Sequence, residues 1–297
     1  MSQSRIFHRM PLGYGLAPGP RQLDTGDAHL GWENVKTKVV TVVFRAPRAS
    51  LSSLLPHKCF RIDADEAEDG LSYASIKFTR LENLPWLAGR GYNHCGLYIH
   101  DVVCQGKYEQ KRGEYLSVLF ENLADPIITG REEIGYAKVF ATLDEEEKSK
   151  GQLEIRVGWG GTVFGVISLD GLEEVSPKQD YARETYAPSE GLLHFKYIPR
   201  TGSNGHDAMY PTFSPTPPAS SSIIDRVQIA SVAKLEFRDY GFQKLPTLQH
   251  IASRLSNLPI KEIVEARVVE ATGTTDLREQ TALQLDTDVD IADFEST

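Results

Sequence analysis

SYASIKFTRL (residues 72–81) alternates side chain by side chain, with Tyr73, Ser75 and Lys77 on one face and Ala74, Ile76 and Phe78 on the other. A period of two describes a strand with one apolar face. KVVTVVFRA (38–46) precedes it, and GLYIHDVVCQ (96–105) and EYLSVLFEN (114–122) follow. The pattern continues in GQLEIRVGW (151–159), GTVFGVISL (161–169), LLHFKYIPR (192–200), DRVQIASVAKLEF (225–237) and KEIVEARVVEA (261–271). Short strands parted by Gly, Asn or charged turns predict a twisted sheet system or a closed barrel. Helices are few. PRASLSSLLP (47–56) has apolar spacing of three to four, and PTLQHIASRLSNL (246–258) places Leu248, Ile251, Ala252 and Leu255 on one face between Pro246 and Pro259. The expected class is α+β, mainly antiparallel β.

The remaining segments set the domain limits. Residues 1–30 are Gly- and Pro-rich and read as an irregular arm, and DEEEKSK (144–150) reads as a solvated turn or short helix. TGSNGHDAMYPTFSPTPPASSS (201–222) interrupts the strands and reads as a loop insertion within one domain spanning 31–273. Residues 274–297 carry seven acids and one base, and are expected to be a disordered acidic tail. Gly158–Gly161 (GWGG) has no helix after it and reads as a turn, not a phosphate loop.

Composition excludes several classes. The net charge of −9 falls mostly on the tail, which accounts for −6, and no basic cluster suits nucleic acid. No apolar run is long enough to span a bilayer, and no secretion signal opens the chain, so a cytoplasmic location is expected. Cys59, Cys95 and Cys104 are too scattered for a zinc site and read as small buried residues. The eight histidines lack metal-binding spacing, so no metal is expected.

DPIITGREEIGYAKVFATL (125–143) carries the chemistry. Lys138 stands between Tyr136-Ala137 and Val139-Phe140-Ala141. In such company it either snorkels outward or loses hydration. Desolvation disfavours the ammonium, and a neutral amine can attack a ketone or aldehyde to form a Schiff base. The alternative from the residues alone is a lysine at a strand end.

FENLADPIITGREEIGYAK (120–138) resembles the signature of the acetoacetate decarboxylase family, with Lys138 on the family's Schiff-base lysine. FRAPRASLSSLLPHKCF (44–60) and PTLQHIASRLSNLPIKEIVEARVV (246–269) resemble two further family blocks, in order, over about residues 30–272. The resemblance implies a twisted sheet or β-cone barrel with few helices, no cofactor, a small keto acid or other carbonyl substrate, and a homo-oligomer. The chain also departs from the family. A second lysine often follows the nucleophile, where Val139 stands here, so apolar surroundings are expected to depress Lys138 by themselves. The family's two glutamates fall on His94 and Thr79, and its carboxylate-binding arginine falls near Thr37.

The expected catalytic pair is therefore Lys138 and His94, the latter as acid, base or orienting group or else a packed turn histidine. Expected pocket contacts are Arg131, Glu132, Tyr136, Thr79, Arg80 and Tyr92, with an internal ion pair as the alternative role for Arg131 and Glu132. Three functions compete. One is a Schiff-base lyase that decarboxylates a β-keto acid larger than acetoacetate, or runs a related aldol or dehydration step. Another is a non-covalent hydrolase, cyclase or isomerase using His94 as base. The third is a non-catalytic ligand-binding relative.

Overall fold

Eight of the nine expected strands form as single strands, and DRVQIASVAKLEF divides after Ile229 into two strands that join different sheets. The structure is a computed structural model that describes residues 6–63, 69–176 and 189–285. The larger sheet has twelve strands. They are β1 (Lys36–Pro47), β2 (Phe60–Ile62), β3 (Leu71–Leu84), β4 (Arg90–Gln105), β5 (Gln110–Glu121), β6 (Lys138–Phe140), β10 (Glu173–Val175), β11 (Gly191–Pro199), β12 (His206–Pro215), β13 (Ile223–Ile229), β15 (Glu262–Thr272) and β16 (Thr281–Ala282). Their order is β10-β13-β15-β1-β3-β4-β5-β11-β12-β16, with β2 beside β4 and β6 beside β5. Pairing is antiparallel except where β5 meets β11 and β6. A smaller antiparallel sheet holds β7 (Thr142–Ser149), β8 (Gln152–Trp159), β9 (Thr162–Asp170) and β14 (Val232–Phe237), in the order β14-β9-β8-β7. Among the described residues three α-helices accompany them: α1 (Arg48–Ser52), α2 (Ala124–Thr129) and α3 (Gln249–Ser256).

The two faces of the larger sheet differ in chemistry. Phe44, Ile76, Phe78, Leu97 and Phe120 project from one face into a single apolar cluster with Ile155, Phe164 and Ile167 of the smaller sheet. Ala252 and Leu255 of α3 join it together with Leu248, which caps that helix, as their helical spacing predicts. Burying a side chain of that size is worth about 1.5–3 kcal/mol, so this cluster dominates stability. The opposite face is polar yet also buried: Ser75, His100, Glu121 and His194 are each no more than 2% exposed. Burial on both faces requires the sheet to curl. Arg267 on β15 and Glu114 on β5 line one cavity although three strands lie between theirs, four strand spacings or about 19 Å in a flat sheet. The curled polar face is where chemistry can be housed.

Three segments differ from expectation. Residues 201–222 are not an inserted loop throughout, because β12 occupies 206–215 and pairs with β11 from Gly191↔Pro215 to Pro199↔His206. Proline and glycine on both sides hide a regular hairpin. DEEEKSK is strand rather than turn or helix; its acids on β7 meet cations, with Glu145 bound to Lys38 and to Arg80 (2.9 Å), and Glu146 to Arg156 (3.0 Å). The acidic segment from 274 to 285 is ordered. Its β16 pairs with β12, and Arg278 donates to the carbonyls of Arg21 (2.6 Å) and Gly26 (3.2 Å) in the N-terminal arm. The rest of the expected tail, 286–297, lies outside the described residues, as do 1–5 of the arm. Within the described arm the chain forms a 3-10 turn at Leu12–Tyr14 and an isolated Gly19–Gln22 bridge.

Candidate active site

Lys138 opens β6, alongside Leu119 of β5. The preceding chain forms α2, runs through a wider π-type turn at Gly130–Ile134, and reverses at Gly135, whose φ of 81° suits glycine. Each charged residue of this turn has a place. Arg131 donates through Nη1 to the Lys138 carbonyl (3.0 Å), while Glu133 binds Arg9 (2.6 Å) and Arg21 (2.8 Å) of the arm. Gly130 backs the lysine itself. A Cβ there would lie 2.4 Å from Lys138 Cδ and 2.8 Å from Nζ, so any side chain displaces the amine.

The amine is 4% exposed and donates to the Pro126 carbonyl at 3.0 Å. Its Nζ is 2.9 Å from Glu121 Oε1, and Glu121 is fully buried at the end of β5. This carboxylate corrects the expectation that apolar surroundings act on Lys138 alone. Burial lowers the lysine pKa and the carboxylate opposes that, with burial prevailing. Burial likewise raises the Glu121 pKa against the pull of Lys138. Both shifts favour the neutral acid beside the neutral amine. Moving one proton from Nζ to Glu121 therefore creates a free nucleophile without changing the net charge of the site.

His94 lies on β4 directly opposite Glu121 in register, and Thr79 on β3 lies directly opposite His94. Thus the two family glutamate positions are adjacent, and a glutamate stands one strand further on. Burial and the Lys138 charge push His94 down to about 3, and its Nδ1 has no hydrogen-bond partner among the described residues. It is a neutral imidazole at pH 7. His194 on β11, missed in the sequence, is fully buried and pushed to about 3 by the same causes. Its ring stacks on Tyr136 at 3.8 Å between centroids, and its Nε2 is 3.1 Å from Ser214 Oγ. The Tyr136 ring also lies beneath Lys138, 5.1 Å from Nζ, and its hydroxyl contacts Ser214 (3.0 Å) and Gln280 (3.1 Å). Burial raises the Tyr136 hydroxyl to about 12 and that of Tyr92 well above its usual value, with Glu121 adding to both.

Lys138, His94, Tyr136 and Tyr92 thus share one buried polar neighbourhood with Glu121 and His194, and Thr79 adjoins it on the register. Arg80, Arg131 and Glu132 do not join it. Arg80 pairs with Glu145 at 2.9 Å and Glu82 at 3.3 Å toward the smaller sheet, because alternation along β3 turns it away from Thr79. Arg131 holds backbone, and Glu132 is exposed, with its carbonyl accepting from Lys196 at 2.5 Å. Thr37 on β1 spends its hydroxyl on the Ala271 carbonyl at 3.4 Å. Among the described residues, no cluster of His, Cys, Asp or Glu is arranged to hold a metal ion, and no helix is long and apolar enough to cross a membrane. The three cysteines are buried and free.

Comparison with known proteins gives these positions a context. The family model for acetoacetate decarboxylase matches residues 19–283. No curated protein matches the chain. A solved structure described as acetoacetate decarboxylase is 15% identical, with a TM-score of 0.62 over 84% of this chain and 89% of its own. The acetoacetate decarboxylase of Legionella pneumophila subsp. pneumophila str. Philadelphia 1 is 14% identical, with a TM-score of 0.57 over 83% and 88%. The enduracididine biosynthesis enzyme MppR, complexed with the condensation product of pyruvate and imidazole 4-carboxaldehyde, is 16% identical, with a TM-score of 0.56 over 91% and 98%. At these identities the structures establish a shared fold, and the family model, which spans most of the sequence and includes the Lys138 signature, establishes kinship: the chain is a divergent member of the acetoacetate decarboxylase family.

Proposed function

We propose that the chain is a cofactor-independent lyase in which Lys138 forms a Schiff base with a carbonyl substrate larger than acetoacetate. The observation that carries this reading is the buried Lys138 amine 2.9 Å from a buried carboxylate, both shifted toward their neutral forms. Glu121 takes a proton from the ammonium, and the free amine attacks the carbonyl carbon while one of its own protons passes from nitrogen to the former carbonyl oxygen, giving a neutral carbinolamine. Glu121 then returns its proton to that hydroxyl, which leaves as water, and the iminium forms beside a carboxylate of opposite charge. With a β-keto acid, the bond to the carboxylate breaks, carbon dioxide departs, and its electron pair neutralises the iminium as an enamine. Protonation at carbon and hydrolysis then release the ketone and restore the amine. An aldol or dehydration step draws on the same electron sink. His94, neutral with an unpaired Nδ1, accepts a hydrogen bond or a proton from the substrate.

Turnover of a panel of β-keto acids by the wild type, Lys138→Ala and His94→Ala tests this assignment. Loss of carbon dioxide release in Lys138→Ala, with a reduced rate in His94→Ala, is expected. The unpaired Nδ1 also favours a second reading, in which His94 acts as base without a covalent intermediate. Full turnover in Lys138→Ala with none in His94→Ala selects that reading and ends the first.

A further inference from the structure

Across Tyr136 and Ser214 from Lys138 lies a cavity of about 590 Å³ that the proposed reaction leaves unused. Lys77, Arg112 and Arg267 supply its cations, Glu114 and Asp101 its carboxylates, and Ser189, Ser214 and Thr216 its hydroxyls. Tyr136 and Ser214 form the shared wall: Tyr136 covers Lys138 on one side, and both residues line the cavity. Lys138 is not itself part of the lining, so a substrate longer than a four-carbon keto acid would reach this space from the nucleophile only past Tyr136 and Ser214.

The charges in the cavity are already matched. Lys77 holds Glu114 at 2.5 Å, Arg267 holds Glu265 at 3.3 Å, and Arg112 is bound to Asp63. His100 also leans on Glu114 at 3.2 Å, and burial pushes it down to about 4, so it adds no positive charge at neutral pH. Asp101 is then a carboxylate in excess once Asp63 and Glu265, which are not part of the lining, are counted with it, and burial pushes its carboxyl toward the neutral form. An anion entering from water sheds its hydration without meeting an uncompensated cation, which is a net cost. A neutral amide or hydroxylated chain meets hydroxyls and carboxylates that satisfy its donors and acceptors. The contacts also rule out a hydrolytic triad here. Ser75 Oγ (2.9 Å) and Glu114 (3.2 Å) both approach the same histidine nitrogen, His100 Nε2, so the ring cannot relay a proton between them.

We propose that this cavity receives the end of the substrate remote from its carbonyl, and that this end is uncharged and hydrogen-bonding rather than a carboxylate or phosphate. The proposal rests on the reading of Lys138 as nucleophile, but its test does not need turnover. Two methyl ketones of equal length, 6-oxoheptanamide and 6-oxoheptanoate, differ only in the charge of the remote end. Calorimetry on the wild type and on Lys138→Ala is expected to show the amide binding at least tenfold more tightly in both. Glu114→Gln removes one matching charge from Lys77 and should narrow that preference at least tenfold. The wild-type comparison stands even if this variant does not fold. Equal or tighter binding of the carboxylate, or no binding of either ketone, overturns the proposal. Borohydride treatment of the same mixtures reads the nucleophile separately: an amide preference without a Lys138 adduct retains the cavity assignment and removes the Schiff base.

Discussion

Replacing Glu121 with glutamine is expected to move nucleophilicity and turnover in opposite directions. The substitution keeps the shape of the side chain and removes its charge. At 2.9 Å the attraction between Lys138 and an ionised Glu121 is about 6 kcal/mol with an effective dielectric near 20. That figure is a ceiling, because burial favours the protonated form of the carboxylate. The desolvation acting on Lys138 remains after the substitution, while the carboxylate opposing it disappears. The ammonium is then disfavoured further, and the free amine persists to lower pH. Acetic anhydride acylates a free amine without needing an acid catalyst, so its rate at Lys138, read by peptide mass mapping, follows the neutral fraction. At pH 6 the Glu121→Gln variant should acylate at Lys138 at least tenfold faster than the wild type, since one pH unit is worth about 1.4 kcal/mol. Turnover should nevertheless fall by about 10²–10⁴, because the proton that expels water from the carbinolamine is gone. Equal or slower acylation in the variant would refute the claim that Glu121 stabilises the ammonium.

Three other consequences are open to measurement. Gly130→Ala puts a methyl where Lys138 Cδ and Cε now lie, so adduct formation should drop at least a hundredfold while stability falls by only about 1–3 kcal/mol in urea titration. A variant that stays active removes Gly130 from the support of the amine. His94 and His194 are held neutral, each falling from 6.5 to about 3 on folding, so the unfolded chain binds more protons between those values and stability declines on acidification below pH 6.5. Each histidine should cost about 2 kcal/mol between pH 6.5 and 5, and in His194→Asn that loss should shrink by one such increment; an unchanged pH slope contradicts the assignment. Tyr136→Phe frees Ser214 and Gln280, and should cost about 1 kcal/mol of stability. If turnover disappears as well, the hydroxyl takes part in the chemistry rather than only holding the wall.

The strands were legible because alternation survives in strands such as SYASIKFTRL and β-branched apolar runs mark others such as KVVTVVFRA, and Lys138 because it is the lone cation of an apolar run. Glu121 was passed over for the same reason that it matters. It stands next to last in EYLSVLFEN and closes β5, where a charged residue at a strand end reads as the start of a solvated turn, yet curling of the sheet buries it. Alternation on β5 gives the face of Glu121 but not that the face is covered. His194 was hidden in LLHFKYIPR, since its partners lie far off in sequence: Tyr136 in the turn before β6, and Ser214 on the paired strand β12. Arg80 shows the converse: adjacency to Thr79 in sequence places it on the opposite face, where it meets Glu145. The acidic composition after Gly273 suggested disorder, but Arg278 and Gln280 tie residues up to 285 to the arm and to Tyr136. Composition records mean polarity and misses such single contacts.

The central claim is that Lys138 forms a covalent imine with its substrate. Sodium borohydride added during incubation with a panel of β-keto acids, followed by proteolysis and mass mapping, tests it most directly. At least one compound should leave a reduced adduct on the peptide carrying Lys138, matched in mass to the decarboxylated ketone and absent from Lys138→Ala. Turnover of a β-keto acid with Lys138 left unmodified in the presence of borohydride would contradict it.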